Sequence, residues 1–154
     1  MNKLVMRRKA SDNVYFHPQF HIAMNMIIDY IEKNFGKKAV REYLKQFAAA
    51  CYKPMKEKIK KQGLKALAGY IEQLYRKEGA KVKIYRETDL LKVSIKKCPA
   101  VSYIRKKKQP VSRSFFETTK TIYETILEST DFEFKVDKYD RKTGGSVLIF
   151  RRKE

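Results

Sequence analysis

The stretch YFHPQFH, residues 15–21, holds the chain's only two histidines, His17 and His21, four residues apart. On a helix this spacing puts both imidazoles on one face. Such pairs bind zinc when a glutamate lies between them and a third ligand is supplied. Pro18, Gln19 and Phe20 intervene here, so the zinc-helix motif is absent and no metal is expected. What remains is proton transfer, with an imidazole acting as general base or polarising a substrate atom. A thiol is the obvious group for such a base to serve. Cys98 follows an alternating apolar run and precedes Pro99, which suits the first turn of a helix. Free N–H groups and the helix dipole at that point would stabilise a thiolate, and Lys96 and Lys97 add positive charge. Cys98 is therefore expected to be the reactive thiol, although a small buried residue at a strand end fits the same dipeptide. Cys51, on an apolar helical stripe after three alanines, is expected to be buried and inert.

These residues need elements to position them. Pro18 opens a helix whose apolar residues recur at Phe20, Met24, Ile27, Ile28, Ile31 and Phe35, with both histidines on or beside that inward stripe. Gly36 punctuates it. A second helix carries Val40, Tyr43, Leu44, Phe47, Ala48, Cys51, Met55 and Ile59, with Pro54 placed to kink or split it. A third, from Leu64 to Tyr75, is stopped by Gly79. The period then changes to two. KVKIYR (81–86) and LLKVSIKK (90–97) read as a hairpin, and residues 98–110 as a turn or short helix. Residues 112–129 form another helix. DFEFKVDKY and SVLIFRR close the chain as a second hairpin around DRKTGG, whose glycines suit a turn and not a phosphate loop. The predicted fold is α+β: a helical N-terminal half packed on an antiparallel sheet of about four strands, made of two hairpins with an intervening helix.

The chain of 154 residues reads as one domain, with residues 1–14 as a flexible or edge segment. Its 36 Lys and Arg against 17 Asp and Glu give a formal charge of +19, which raises nucleic acid as a partner. The basic residues are spread along the chain, so a solvated lysine-rich surface ranks above that reading, and nucleic acid is expected to bind weakly and without sequence preference. There is no apolar run long enough to span a membrane and no signal-peptide pattern. Two cysteines make no disulfide framework. A cytoplasmic location with reduced thiols is expected, and no cofactor.

The order of FHPQFH, then a strand running into KKCPAVSYI, then a helix and YDRKTGGSVLIF, resembles the L-2-amino-thiazoline-4-carboxylate hydrolase family over roughly residues 15–150. Named members open a thiazoline ring to give N-carbamoylcysteine. The resemblance maps the family's Cys-Pro element onto Cys98-Pro99. It places Ser146 where relatives often carry a second cysteine, a departure that weakens both the named reaction and any two-thiol metal site. It implies a small-molecule hydrolase opening a cyclic amidine or related carbon–nitrogen ring. Cys98 would be nucleophile or thiolate stabiliser, His21 the general base and His17 its partner, with Ser146 lending a hydroxyl. Arg105 and Lys97, the cations nearest Cys98 in sequence, would hold a substrate carboxylate. His17, His21, Cys98 and Ser146 are expected to line one cavity between helices and sheet, with Tyr103 near its wall. A non-catalytic sensor of a small ligand, metal or haem on the same scaffold is the alternative, and a non-specific nucleic-acid binder a third.

Overall fold

The computed structural model describes residues 18–154, so His17 and the segment 1–14 lie outside the described residues. The fold is α+β, with the helical part N-terminal. Three helices come first: α1 (Gln19–Cys51), α2 (Lys53–Gln62) and α3 (Leu64–Lys77). Then follow β1 (Val82–Arg86), β2 (Leu90–Ile95), α4 (Pro99–Lys106), α5 (Glu117–Leu127), β3 (Phe132–Tyr139) and β4 (Ser146–Arg152). The two hairpins join through β2 and β4 into one antiparallel sheet of order β1-β2-β4-β3.

The breaks fall where backbone chemistry demands them. Gly36 takes φ 84 and ψ 172 inside α1, a region that is almost exclusively glycine's, and divides the helix into two segments. Pro54 lies in the first turn of α2, where its missing N–H costs nothing, so the long stripe splits at Tyr52 and does not merely kink. That split corrects the expectation for Cys51. A stripe carried through by helical periodicity would bury it, but α1 ends there and Tyr52 turns inward instead, ring-to-ring with Phe47 and Tyr70. Cys51 is exposed.

Alternation along the strands sends Leu91, Val93, Leu148 and Phe150 to one face, all of them buried against the helices. Val40, Leu44, Ile59, Leu67, Ile71, Ile104 and Ile126 close the same core from the helical side. The first segment of α1 touches it along a narrow line, Met24, Asn25 and Ile28. Phe20, Ile27 and Phe35 flank that line and stay exposed, contrary to the broad inward stripe read from spacing. Asn25 is buried because its amide clamps the loop before α5, donating to the Pro110 carbonyl and accepting from the Ser112 N–H, both at 2.8 Å.

Candidate functional site

A cavity of about 160 Å³ lies between the helices and the inner face of the sheet. His21 and Met24 reach it from α1, Tyr70 and Tyr75 from α3, Cys98 from the N-cap of α4, Thr118, Thr119 and Tyr123 from α5, and Leu148 from β4. Glu78, the residue that caps the C-terminal end of α3, completes the polar set. Its Oε1 lies 3.3 Å from His21 Nε2, and the two side chains are only 7% and 17% exposed. A carboxylate at a helix C-terminus faces the negative end of the helix dipole. Its placement there is therefore costly, and the imidazole is what meets it. Sequence reasoning missed Glu78. The only available signal was an acid in the last turn of a helix, where a base is favoured.

Cys98 sits where two structural devices meet. Its own N–H donates to the Thr143 carbonyl at 3.0 Å, which pins the turn before β4 onto the start of α4. Gly144 in that turn has φ 67, and a Cβ there would stand 2.6 Å from Cys98 Cβ. A Cβ on Gly145 would stand 2.4 Å from the Lys96 carbonyl oxygen. The paired glycines thus answer both to turn geometry and to close approach of the Cys-Pro element. Burial pushes the Cys98 thiol up from its ordinary value, the N–H groups of Val101 and Ala100 pull it down less, and the charge of Glu78 adds to the rise. A thiolate stabilised by the helix end was expected. The direction is the reverse, because the cavity removes more hydration than two N–H groups restore.

The predicted residues only partly converge. His21 and Cys98 line the cavity together. Ser146, buried at the start of β4, shares with Cys98 a separate void of about 20 Å³ and does not reach the main cavity. Tyr103 stands edge-on to His21, ring centroids 6.4 Å apart, but does not line the cavity. Lys97 and Arg105 are exposed and contribute nothing to its wall. Nearness to Cys98 in sequence therefore does not bring them to the cavity wall. Among the described residues no lysine or arginine lines this cavity, and the one charged wall group among them besides the titratable imidazole is the Glu78 carboxylate.

Four tyrosines surround the polar centre. Burial raises Tyr52, Tyr70, Tyr75 and Tyr123 above the ordinary phenol value of 10.0, so all four are neutral donors at physiological pH. No group of three or more potential metal ligands occurs among the described residues. Nor is any helix among them long and apolar enough to cross a membrane. No protein-family model matches the chain, and comparison with curated proteins finds no similar sequence.

Proposed function

We propose that this chain is a small-molecule hydrolase that opens a cyclic amidine or related carbon–nitrogen ring, in line with its resemblance to the L-2-amino-thiazoline-4-carboxylate hydrolases. One observation carries the reading: the His21–Glu78 contact and the Cys98 thiol face a single aromatic cavity whose wall carries a carboxylate. About 160 Å³ suits one small ring, since an apolar cavity of about 150 Å³ holds benzene. A protonated amidine brings a delocalised positive charge. The carboxylate of Glu78 and the faces of the tyrosines match that charge.

In this scheme His21, oriented by Glu78, takes a proton from the attacking group, which is water or the Cys98 thiol. The nucleophile adds to the ring carbon between the two heteroatoms. The bond from that carbon to one ring heteroatom breaks, and the leaving atom receives the proton held by His21. If sulfur attacked, water then releases the carbonyl product and restores the thiol. Because burial keeps Cys98 protonated at neutral pH, it is no free nucleophile and depends on the base beside it.

Turnover of a panel of cyclic amidines tests this. His21→Ala should lower kcat by about 10²- to 10⁴-fold, the usual contribution of a general base. Cys98→Ser separates the two nucleophiles, since only the thiol route is abolished by it. Absence of turnover across the panel, with folded protein, would sink the hydrolase reading. The raised thiol favours one other reading, a ligand sensor that binds without reacting. Saturable calorimetric binding of the same amidines without turnover, abolished by Glu78→Gln, would establish that reading instead.

A further inference from the structure

The sheet has a second face, turned away from the helices and from the cavity, and pleating decides what stands on it. The register aligns Lys83, Ser94, Val147 and Lys138 in one row across the four strands. The next row is Tyr85, Lys92, Ile149 and Lys135. At the end of the sheet Lys81 and Lys96 join Lys83 and Lys138 around a groove of about 980 Å³, floored by Ser94 and Val147. None of these six lysines has a carboxylate within ion-pair distance among the described residues. By contrast, Lys33, Lys37, Arg41, Arg151 and Arg152 all do. The acids nearby are engaged or peripheral. Glu133 pairs with Arg151, and Asp140, the one acid among the residues described as lining the groove, accepts from the Lys142 N–H and the Thr143 hydroxyl. Asp137 occupies the bulge in β3, and Glu87 accepts from the Tyr85 hydroxyl. Strand pairing thus gathers six of the chain's lysines, distant in sequence, on one face.

We propose that this outer sheet face binds single-stranded nucleic acid. Along the rows Lys92 and Lys135 stand about 10 Å apart and Lys83 and Lys138 about 14 Å apart, with about 7 Å from one row to the next, so the unpaired lysines can meet separate phosphates of one backbone. Tyr85, 55% exposed, supplies a ring on which a base can stack. Reading the base edges of a duplex needs an element that enters a groove, a helix or a two-stranded ribbon, and this face is a sheet with a hollow in it, whereas a single strand offers its bases directly to an exposed ring. A flat bilayer meets a concave groove poorly, and no bulky aliphatic side chain projects from these two rows far enough to insert into it. An extended strand with splayed bases fits both the hollow and the alternation of cation with apolar or aromatic residue.

Fluorescence anisotropy with a labelled oligothymidylate, its duplex with oligoadenylate, and phosphatidylserine vesicles tests the proposal on the full chain across a salt series. The single strand should bind more tightly than the duplex and the vesicles. The double variant Lys83→Glu/Lys138→Glu should flatten the salt slope by roughly 1.4 or more, about 0.7 for each phosphate that no longer meets a lysine. Tyr85→Ala should weaken single-strand binding by roughly 5- to 150-fold, the range expected when one base loses its stacking partner. Both sets of side chains are solvent-facing, and circular dichroism checks that the variants are folded. Lys45→Glu/Lys58→Glu, an equal charge reversal on exposed helical positions, is the control and should change much less. Three results would overturn the proposal: the control weakening binding as much as the sheet variant, duplex or vesicles binding better than the single strand, or Tyr85→Ala leaving affinity unchanged.

Discussion

A thiol at a helix N-terminus gains from the unpaired N–H groups there but loses hydration when a cavity closes over it, and at Cys98 the second effect is the larger. Alkylation runs through the thiolate and requires access. Cys51, exposed at the end of α1, is the better target on access, and Cys98 the worse on both access and ionisation. Timed iodoacetamide labelling with mass-spectrometric mapping should therefore modify Cys51 first, the reverse of the order suggested by helical periodicity. Faster labelling of Cys98 would mean that the cavity opens readily in solution and that the N-terminal end of α4 governs the thiol after all. Glu78 belongs to the same scale. A carboxylate and an imidazole 3.3 Å apart, each largely withdrawn from water, form a unit whose members orient one another.

Among the elements, the turn between β3 and β4 determines where Cys98 sits. Two kinds of demand fall on Gly144: a backbone at φ 67 and a neighbour at 2.6 Å from any Cβ. Gly79 isolates the first demand, since it has φ 63 and nothing within 4 Å of an added Cβ. Gly79→Ala should cost about 1–2 kcal/mol, the ordinary penalty for a side chain in the left-handed region. Gly144→Ala should cost more than that, by about 1–3 kcal/mol for overpacking against Cys98 and Val101. Urea titrations of both variants give the comparison. Equal losses would show that the turn does not press on the Cys-Pro element.

At the scale of the whole molecule, buried ionisable groups bound the pH range of stability. Glu117 is held below its ordinary 4.5: burial pushes it up, but the Thr121 hydroxyl and Arg41, with Lys37 beyond, pull it further down. A depressed carboxylate contributes stability that is present above its unfolded pKa and is lost as the pH falls through the folded one. Glu117 thus weakens the fold below about pH 4.5. The cavity tyrosines act at the other end. Their folded values lie above 10.0, so the unfolded chain ionises first and stability falls as the pH rises beyond 10.0. Thermal melts across pH should show both edges, and Glu117→Gln should remove much of the acid one. Ultraviolet titration of phenolate should show a group of tyrosines that ionise only as the fold is lost. Early, complete titration with the fold intact would contradict the burial assigned to them.

The elements were legible in the sequence because each rests on local physics. Period-two alternation marked β1 through β4, period 3.6 marked the helices, and Gly36, Pro54 and Gly79 marked breaks that backbone sterics enforce. The α+β class and the pairing of two hairpins around a helix followed from those signals. Of the site, His21 and Cys98 were readable as inward groups at element ends, and the structure brings both to one cavity. Glu78 was not readable, because nothing in residues 76–81 tells that the end of α3 faces the first turn of α1. Nor was the exposure of Cys51, which depends on where one helix stops and the next sets off. The loss of Ser146 to a side void, the exclusion of Lys97 and Arg105 from the cavity, and the gathering of lysines on one sheet face share one cause. Strand register and helix packing join residues far apart in the chain, and local periodicity carries no record of which distant partner an element will meet.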